Sequence, residues 1–198
     1  MTVRYPDGRV YVPVNEEKKE RKKPVALDNF AKRGMGLEDD LNLSNDFYNK
    51  EGRCLVYKRP TPIRVVHMQK ERITEAYFSE KSTTDYNGIY RKCYMDFEAK
   101  ETQNRTSFAF KNIRPQQITH LKAVVKLGGI AFFIIRMKAY HETYLLDFSD
   151  FEPYLTSSER KSMPYTELKK KGILIEESFS PRLKYLEAVD KRYFSNID

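Results

Sequence analysis

Three side chains in the segment Tyr94-Met95-Asp96-Phe97-Glu98-Ala99-Lys100 have the chemistry to act on a phosphate. Read as a strand, the segment alternates its faces with a period of two residues. Met95, Phe97 and Ala99 then turn to the core, and Asp96, Glu98 and Lys100 project together from the other face. Two acids and a lysine side by side are costly to bury without partners. They suit a hard cation and a phosphate, because oxygen ligands match magnesium, which keeps several waters and takes one or two carboxylates. Such an ion polarises a phosphate and acidifies a bound water, and a nearby lysine orients that water or offsets the growing charge.

A further acid, Asp85, follows Ser82-Thr83-Thr84 and stands thirteen residues before Glu98. If 85–90 and 93–98 form a hairpin that turns at Arg91-Lys92, Asp85 falls opposite Glu98. Opposed side chains lie about 5 Å apart, a spacing that lets two carboxylates share one metal. A rival turn at Asn87-Gly88, a strong type I′ signal, pairs Asp85 with Tyr90 and separates the acids. The first register leaves longer strands and joins the acids, but the sequence alone allows both. A Glu-x-Lys triplet is common in lysine-rich chains, and a solvated hairpin with charged outward residues is the plain alternative.

The flanking pattern supplies elements to position these groups. From Gly36 the spacing of Leu37, Leu41 and Tyr48 predicts a helix, with Glu38, Asp39 and Asp40 in its first turn, where the dipole favours acids, and a stop near Gly52. Residues 53–58 read as a strand, and Arg59-Pro60-Thr61-Pro62 breaks regular structure. Ile63 to Met68 and Ile73 to Phe78 read as a protruding hairpin whose turn, Gln69 to Arg72, carries Lys70 and Arg72. Pro115 opens a second helix with an apolar stripe of Ile118, Leu121, Val124 and Val125, closed by Gly128-Gly129. Ile130 to Ile135 is the continuous apolar run of a central strand covered on both faces. Tyr144 to Phe148 and Ile173 to Ile175 add strands, and the chain ends through 185–194. Helices and strands in this order predict an α/β sandwich around a mixed sheet.

The 198 residues suffice for one sizeable core. A formal net charge of +8 and a pI of 9.3 favour a polyanion: DNA, RNA or an anionic membrane surface. Residues 1–29 have little apolar periodicity and carry a basic cluster, Lys18 to Lys23. They read as a mobile arm that either touches phosphates or is simply solvated. Cys54 and Cys93 lie in apolar-aromatic runs without a CxxC pairing, as buried residues rather than a disulfide or zinc site. The three histidines are scattered. No leader is visible, the longest apolar run, Gly128 to Ile135, is too short to span a bilayer, and a cytoplasmic protein is the expectation.

Several segments, taken in order, resemble the RecU Holliday-junction resolvases of low-GC Gram-positive bacteria and mycoplasmas. They are Arg33-Gly34-Met35 with Leu37-Glu38, Arg59-Pro60-Thr61-Pro62, Glu75-Ala76-Tyr77-Phe78, Ser82 to Gly88, Asp96 to Thr102, Thr106-Ser107-Phe108 and Gln117-Ile118. The resemblance runs from about Phe30 to the C-terminus. It implies a restriction-endonuclease-like nuclease domain of the PD-(D/E)xK type over 30–198, with 60–78 inserted as a stalk hairpin that enters the junction centre. It also implies a homodimer whose two sites nick a four-way junction symmetrically in recombination and DNA repair.

By position, the resemblance makes Thr83, Asp85, Glu98 and Gln117 the magnesium site, directly or through water, with manganese as a substitute ion. Lys100 becomes the catalytic lysine beside Asp85 and Glu98. Glu38 and Asp96 become accessory acids, and Arg33, Arg64, Lys70 and Arg72 become candidate DNA contacts. The implied partners are branched DNA, a second copy of the chain and the strand-exchange recombinase, and no membrane. Ala31-Lys32 depart from the two glycines that such proteins often carry before Arg-Gly-Met. Two other readings stay open: a non-catalytic DNA-binding accessory protein, and a nuclease acting on ordinary duplex.

Overall fold

The computed structural model describes residues 36–78, 83–157 and 160–195. In chain order its elements are α1 (Leu37–Lys50), β1 (Cys54–Lys58), β2 (Ile63–Gln69), β3 (Arg72–Phe78), β4 (Tyr86–Tyr90), β5 (Cys93–Thr102) and β6 (Ser107–Ala109). There follow α2 (Pro115–Lys126), β7 (Ile130–Met137), β8 (Glu142–Asp147), α3 (Phe148–Thr156), β9 (Ser162–Pro164), α4 (Tyr165–Lys171), β10 (Ile173–Ile175) and α5 (Tyr185–Val189). The expected arm over 1–29 and the candidate contact Arg33 lie outside the described residues.

A six-stranded sheet of order β1-β4-β5-β7-β8-β10 organises the chain. Strands β5 and β7 run parallel and the other neighbours antiparallel, so the sheet is mixed and helices flank it. Every residue of β7 is buried, as its unbroken apolar run requires of a strand covered on both faces. Ile130, Phe132 and Ile134 join a core with α1 and α5, whereas Ala131, Phe133, Ile135 and Met137 join a second core with α2, α3 and α4. On the first face the rings of Tyr86, Phe97 and Phe132 stack across β4, β5 and β7 at 5.0 and 4.8 Å, which locks the three strands in register. Helix α1 is held over this face by Leu37, Leu41 and Tyr48, and by buried Asp40, which pairs with Arg136 of β7 at 2.8 Å and with Arg182 at 3.1 Å.

The hairpin register is the one that opposes the two acids: Tyr86 faces Phe97 and Tyr90 faces Cys93. Its turn residues Arg91 and Lys92 both take positive φ, 47° and 66°, the signature of a type I′ turn. Asn87-Gly88 is not a turn. Gly88 lies opposite Val56 of β1, where a Cβ would stand 2.1 Å from the Leu55 carbonyl oxygen. Its glycine serves the close approach of two strands.

Three expectations need correction. Phe148 begins α3 rather than ending a strand, because the Asp147 carboxylate accepts the Ser149 N–H at 2.7 Å and caps the helix. Val125 is exposed, so the α2 stripe that reaches full burial is Leu121 and Val124. Cys54 and Cys93 are half-buried free thiols rather than fully buried residues.

Strands β2 and β3 form a separate two-stranded antiparallel ribbon, with Lys70 at its turn in a left-handed conformation, φ 56°. Every residue from Ile63 to Tyr77 is exposed, apolar ones included.

Candidate active site

Strand β5 has one apolar face and one polar face. Met95, Phe97 and Ala99 sit in the core, as the period-two reading requires. Asp96, Glu98 and Lys100 share the α2 side, aligned with Ala131, Phe133 and Ile135 of β7. That side is not open to solvent. Asp96 and Glu98 are both 0% exposed, covered by polar groups of α2 and of the segment before β4.

The structure brings Asp85, Glu98 and Lys100 together. The Asp85 backbone N–H donates to Glu98 Oε2 at 3.2 Å, and Asp85 Oδ2 accepts the Ala99 N–H at 3.0 Å. Lys100 Nζ donates to Glu98 Oε1 and stands 3.7 Å from Asp85 Oδ2. Two carboxylates thus share one ammonium, and the cluster carries an unbalanced negative charge whenever both are ionised. Burial, and then the Asp85 charge, push the Glu98 carboxyl up to about 8, with Lys100 opposing the rise. A like-charged carboxylate pair, one member fully buried and the other half-buried, is an arrangement that a cation relieves.

Gln117 and Thr83 complete the surroundings. Gln117 is buried in the first turn of α2, where Pro115 starts the helix. Its Oε1 accepts the Arg114 N–H at 2.9 Å and its Nε2 donates to Glu98 Oε1. The amide oxygen is therefore engaged in capping its own helix, and the contact with the acids is made through the amide nitrogen. Thr83 Oγ1 is buried without a hydrogen-bond partner, which is costly for a hydroxyl unless something absent from the chain accepts it. Among the described residues, no three histidine, cysteine, aspartate or glutamate side chains form a metal cage. Two carboxylates and an orphan hydroxyl suit, by their chemistry, a hard cation with oxygen ligands.

Glu38 and Asp96 do not join the pair. Glu38 is exposed and bonds Lys58 Nζ at 2.5 Å, while its carbonyl accepts the Tyr86 hydroxyl at 3.1 Å. Its partner Lys58 feels the charge of Glu38 first and of Asp85 after it. Asp96 gathers Arg59, Thr84, Tyr94 and His120 instead. Sequence reading missed those partners and Lys58. A signal for His120 was present: it lies three residues after Gln117, on the same helical face. Arg64, Lys70 and Arg72 are exposed on the β2–β3 ribbon, away from the acids in sequence and in sheet.

A family model described as RecU, recombination protein U, matches residues 32–191. The chain belongs to the RecU family. A RecU protein of Geobacillus kaustophilus, named Holliday junction resolvase RecU, is 42% identical over 203 residues, covering 98% of this chain and 100% of that protein. One of the same name from Shouchella clausii is 41% identical and covers 98% of this chain and 97% of its own length. Among solved structures, Archaeoglobus fulgidus Hjc, described as a Holliday junction resolvase from an archaeal hyperthermophile, aligns with 68% of this chain and 94% of that one, at 9% identity and a TM-score of 0.41. The RecU match spans every residue of the acid cluster.

Proposed function

We propose that this RecU-family protein is a magnesium-dependent endonuclease that nicks four-way DNA junctions symmetrically, as a homodimer, in recombination and DNA repair. The observation that carries the reading is the convergence of Asp85, Glu98 and Lys100 on one buried polar face, in a chain whose full-length relatives are named Holliday junction resolvases. Asp85 and Glu98 would hold the ion, with Thr83 Oγ1 as a further oxygen and Gln117 acting on Glu98 or through water. Magnesium bound there supplies Lewis acidity toward the phosphate and an acidified water; manganese serves as a substitute.

The chain's own groups do the rest. Lys100 Nζ, held between the two carboxylates, offsets charge that grows on the phosphate oxygens and orients the attacking water. Gln117 fixes Glu98 by its amide nitrogen, and Asp85 is fixed by the Ala99 N–H.

Two exposed surfaces support this reading of the partners. On the sheet edge formed by β1 and β4, Leu55, Tyr57 and Ile89 are all exposed, which supports contact with a second copy. The β2–β3 ribbon, with Arg64, Lys70 and Arg72 among exposed apolar residues, would be the stalk that probes the junction centre. Lys111, Arg160 and Lys161 line a cleft of about 480 Å³ close to the start of α2 and add positive charge for phosphates. The nuclease domain would run over 30–198, with residues 1–29 as a basic arm. The strand-exchange recombinase would be a further partner, and the site of action the cytoplasm; among the described residues no helix is long and apolar enough to cross a membrane.

The deciding experiment compares a synthetic four-way junction with a linear duplex of the same sequence, each with and without magnesium. Paired nicks confined to the junction and dependent on the ion are expected. Equal cutting of the duplex would replace junction resolution with a general nuclease, and binding without any cutting would leave an accessory DNA-binding protein.

A further inference from the structure

Asp96 projects from the same face of β5 as Glu98 and is fully buried, yet its hydrogen bonds go to a different set of donors. Its Oδ2 accepts from Arg59 Nη2 at 2.8 Å, from the Tyr94 hydroxyl at 2.7 Å and from His120 Nε2 at 2.7 Å, and its Oδ1 accepts from the Thr84 hydroxyl. Every oxygen of the carboxylate is engaged by donors, with the Arg59 charge beside it.

Three of these donors lie beside groups that build the candidate metal site. Thr84 sits between Thr83 and Asp85. His120 follows Gln117 by three residues, nearly one turn of α2. Arg59 directly follows β1 and precedes Pro60, the root of the β2–β3 ribbon, and its backbone N–H donates to the Asp85 carbonyl at 2.7 Å. The Arg59 Nε is buried without an acceptor, so Asp96 is the carboxylate that holds this guanidinium. One buried carboxylate therefore ties together the segment 83–85, the first turns of α2 and the base of the ribbon.

We infer that Asp96 is a positioning residue: it sets Thr83, Asp85 and Gln117 at their spacing from Glu98 and couples that spacing, through Arg59, to the root of the β2–β3 ribbon. It touches neither the ion nor the phosphate. This inference rests on the reading of Asp85 and Glu98 as divalent-cation ligands. Charge-assisted hydrogen bonds are roughly twice as strong as neutral ones. An amide in place of this carboxylate would turn one acceptor oxygen into a donor facing donors. Groups that orient metal ligands typically change metal affinity by about 10- to 100-fold when removed.

The test uses the full-length protein without DNA. Mg²⁺ binding is measured by calorimetry, and Mn²⁺ binding by electron paramagnetic resonance. Asp96→Asn is expected to weaken both affinities by roughly 10- to 100-fold. It should raise the magnesium needed for junction cleavage by the same factor and leave the rate at saturating ion within a few-fold of the parent. His120→Ala is expected to weaken binding and His120→Gln, which keeps a donor, to restore it; Arg59→Ala and Arg59→Lys should divide in the same way. A merely structural role would lower the melting temperature without moving the metal requirement.

Parental affinity in Asp96→Asn overturns the inference. Should that variant not fold, parental affinity in both His120→Ala and Arg59→Ala overturns it equally. A parent protein that binds no divalent cation overturns instead the reading of the acid pair on which this one rests.

Discussion

Asp96 and Glu98 stand two residues apart on one face of one strand, both wholly buried, and their neighbours make them opposites. Asp96 meets a guanidinium, an imidazole and two hydroxyls and faces no second acid. Glu98 meets Asp85, another carboxylate, and must share a single lysine with it. The first carboxylate has all it needs from the chain. The second is left short of positive charge. A shared strand face therefore says which acids are neighbours, and only the charge around each distinguishes a carboxylate satisfied by the chain from a candidate cation ligand.

The largest effect expected from breaking this contrast comes from the unbalanced pair. Glu98→Gln or Asp85→Asn should lower junction nicking by on the order of 10³-fold while four-way junction binding in a metal chelator stays within a few-fold of the parent. Normal cleavage by either variant would remove the pair from the chemistry. Lys100→Ala comes next, with a loss of roughly 10²-fold in rate at saturating magnesium. If that loss were cured by more magnesium, the lysine would be organising the ion rather than the reaction.

Protons sharpen the contrast further. The Glu98 carboxyl is pushed up to about 8 in the metal-free protein, and a bound cation needs it ionised. Cation binding below that pH therefore releases a proton. Affinity should climb by up to about ten-fold per pH unit until near 8 and then level off. Calorimetry at pH 7 in buffers of different ionisation enthalpy counts the proton directly, and a count of zero contradicts the assignment. The same shift has a stability sign. Its folded value lies above the ordinary 4.5, so between those two values the folded protein keeps a proton that the unfolded chain has lost. Stability of the metal-free protein thus falls as pH rises through this window, and Glu98→Gln should flatten the fall.

The smallest effect belongs to Thr83. Removing an orphan buried hydroxyl with Thr83→Val should stabilise the metal-free protein by about 1 kcal/mol while weakening magnesium binding a few-fold. A thermal melt with and without the ion reads both changes, and a gain in the ion-bound form as well would deny the hydroxyl a role.

Much of this arrangement could be read before any coordinates, because it follows from short-range rules. The alternation along Tyr94 to Lys100 separated core from site, and the turn at Arg91-Lys92 set Asp85 opposite Glu98. The competing signal at Asn87-Gly88 misleads because a glycine has more than one use; here it lets β1 press against β4. What stayed hidden depends on distant elements. Nothing local to Asp96 reports that Arg59, Thr84 and His120 converge on it, so in the sequence it reads only as an accessory acid of the candidate site. Glu38 was similarly ambiguous. An acid in the first turn of a helix satisfies the dipole whether or not an ion lies nearby, and only the fold shows it turned to Lys58.

Among the described residues, no layer covers either side of the β2–β3 ribbon. Two strands alone in water are barely stable, so the segment borrows its stiffness from whatever it lies against. Its amide hydrogens should trade with solvent quickly in an isolated protomer and slowly once a companion or a nucleic acid seats against it. The ribbon then reports, by its own ordering, that the molecule has found company.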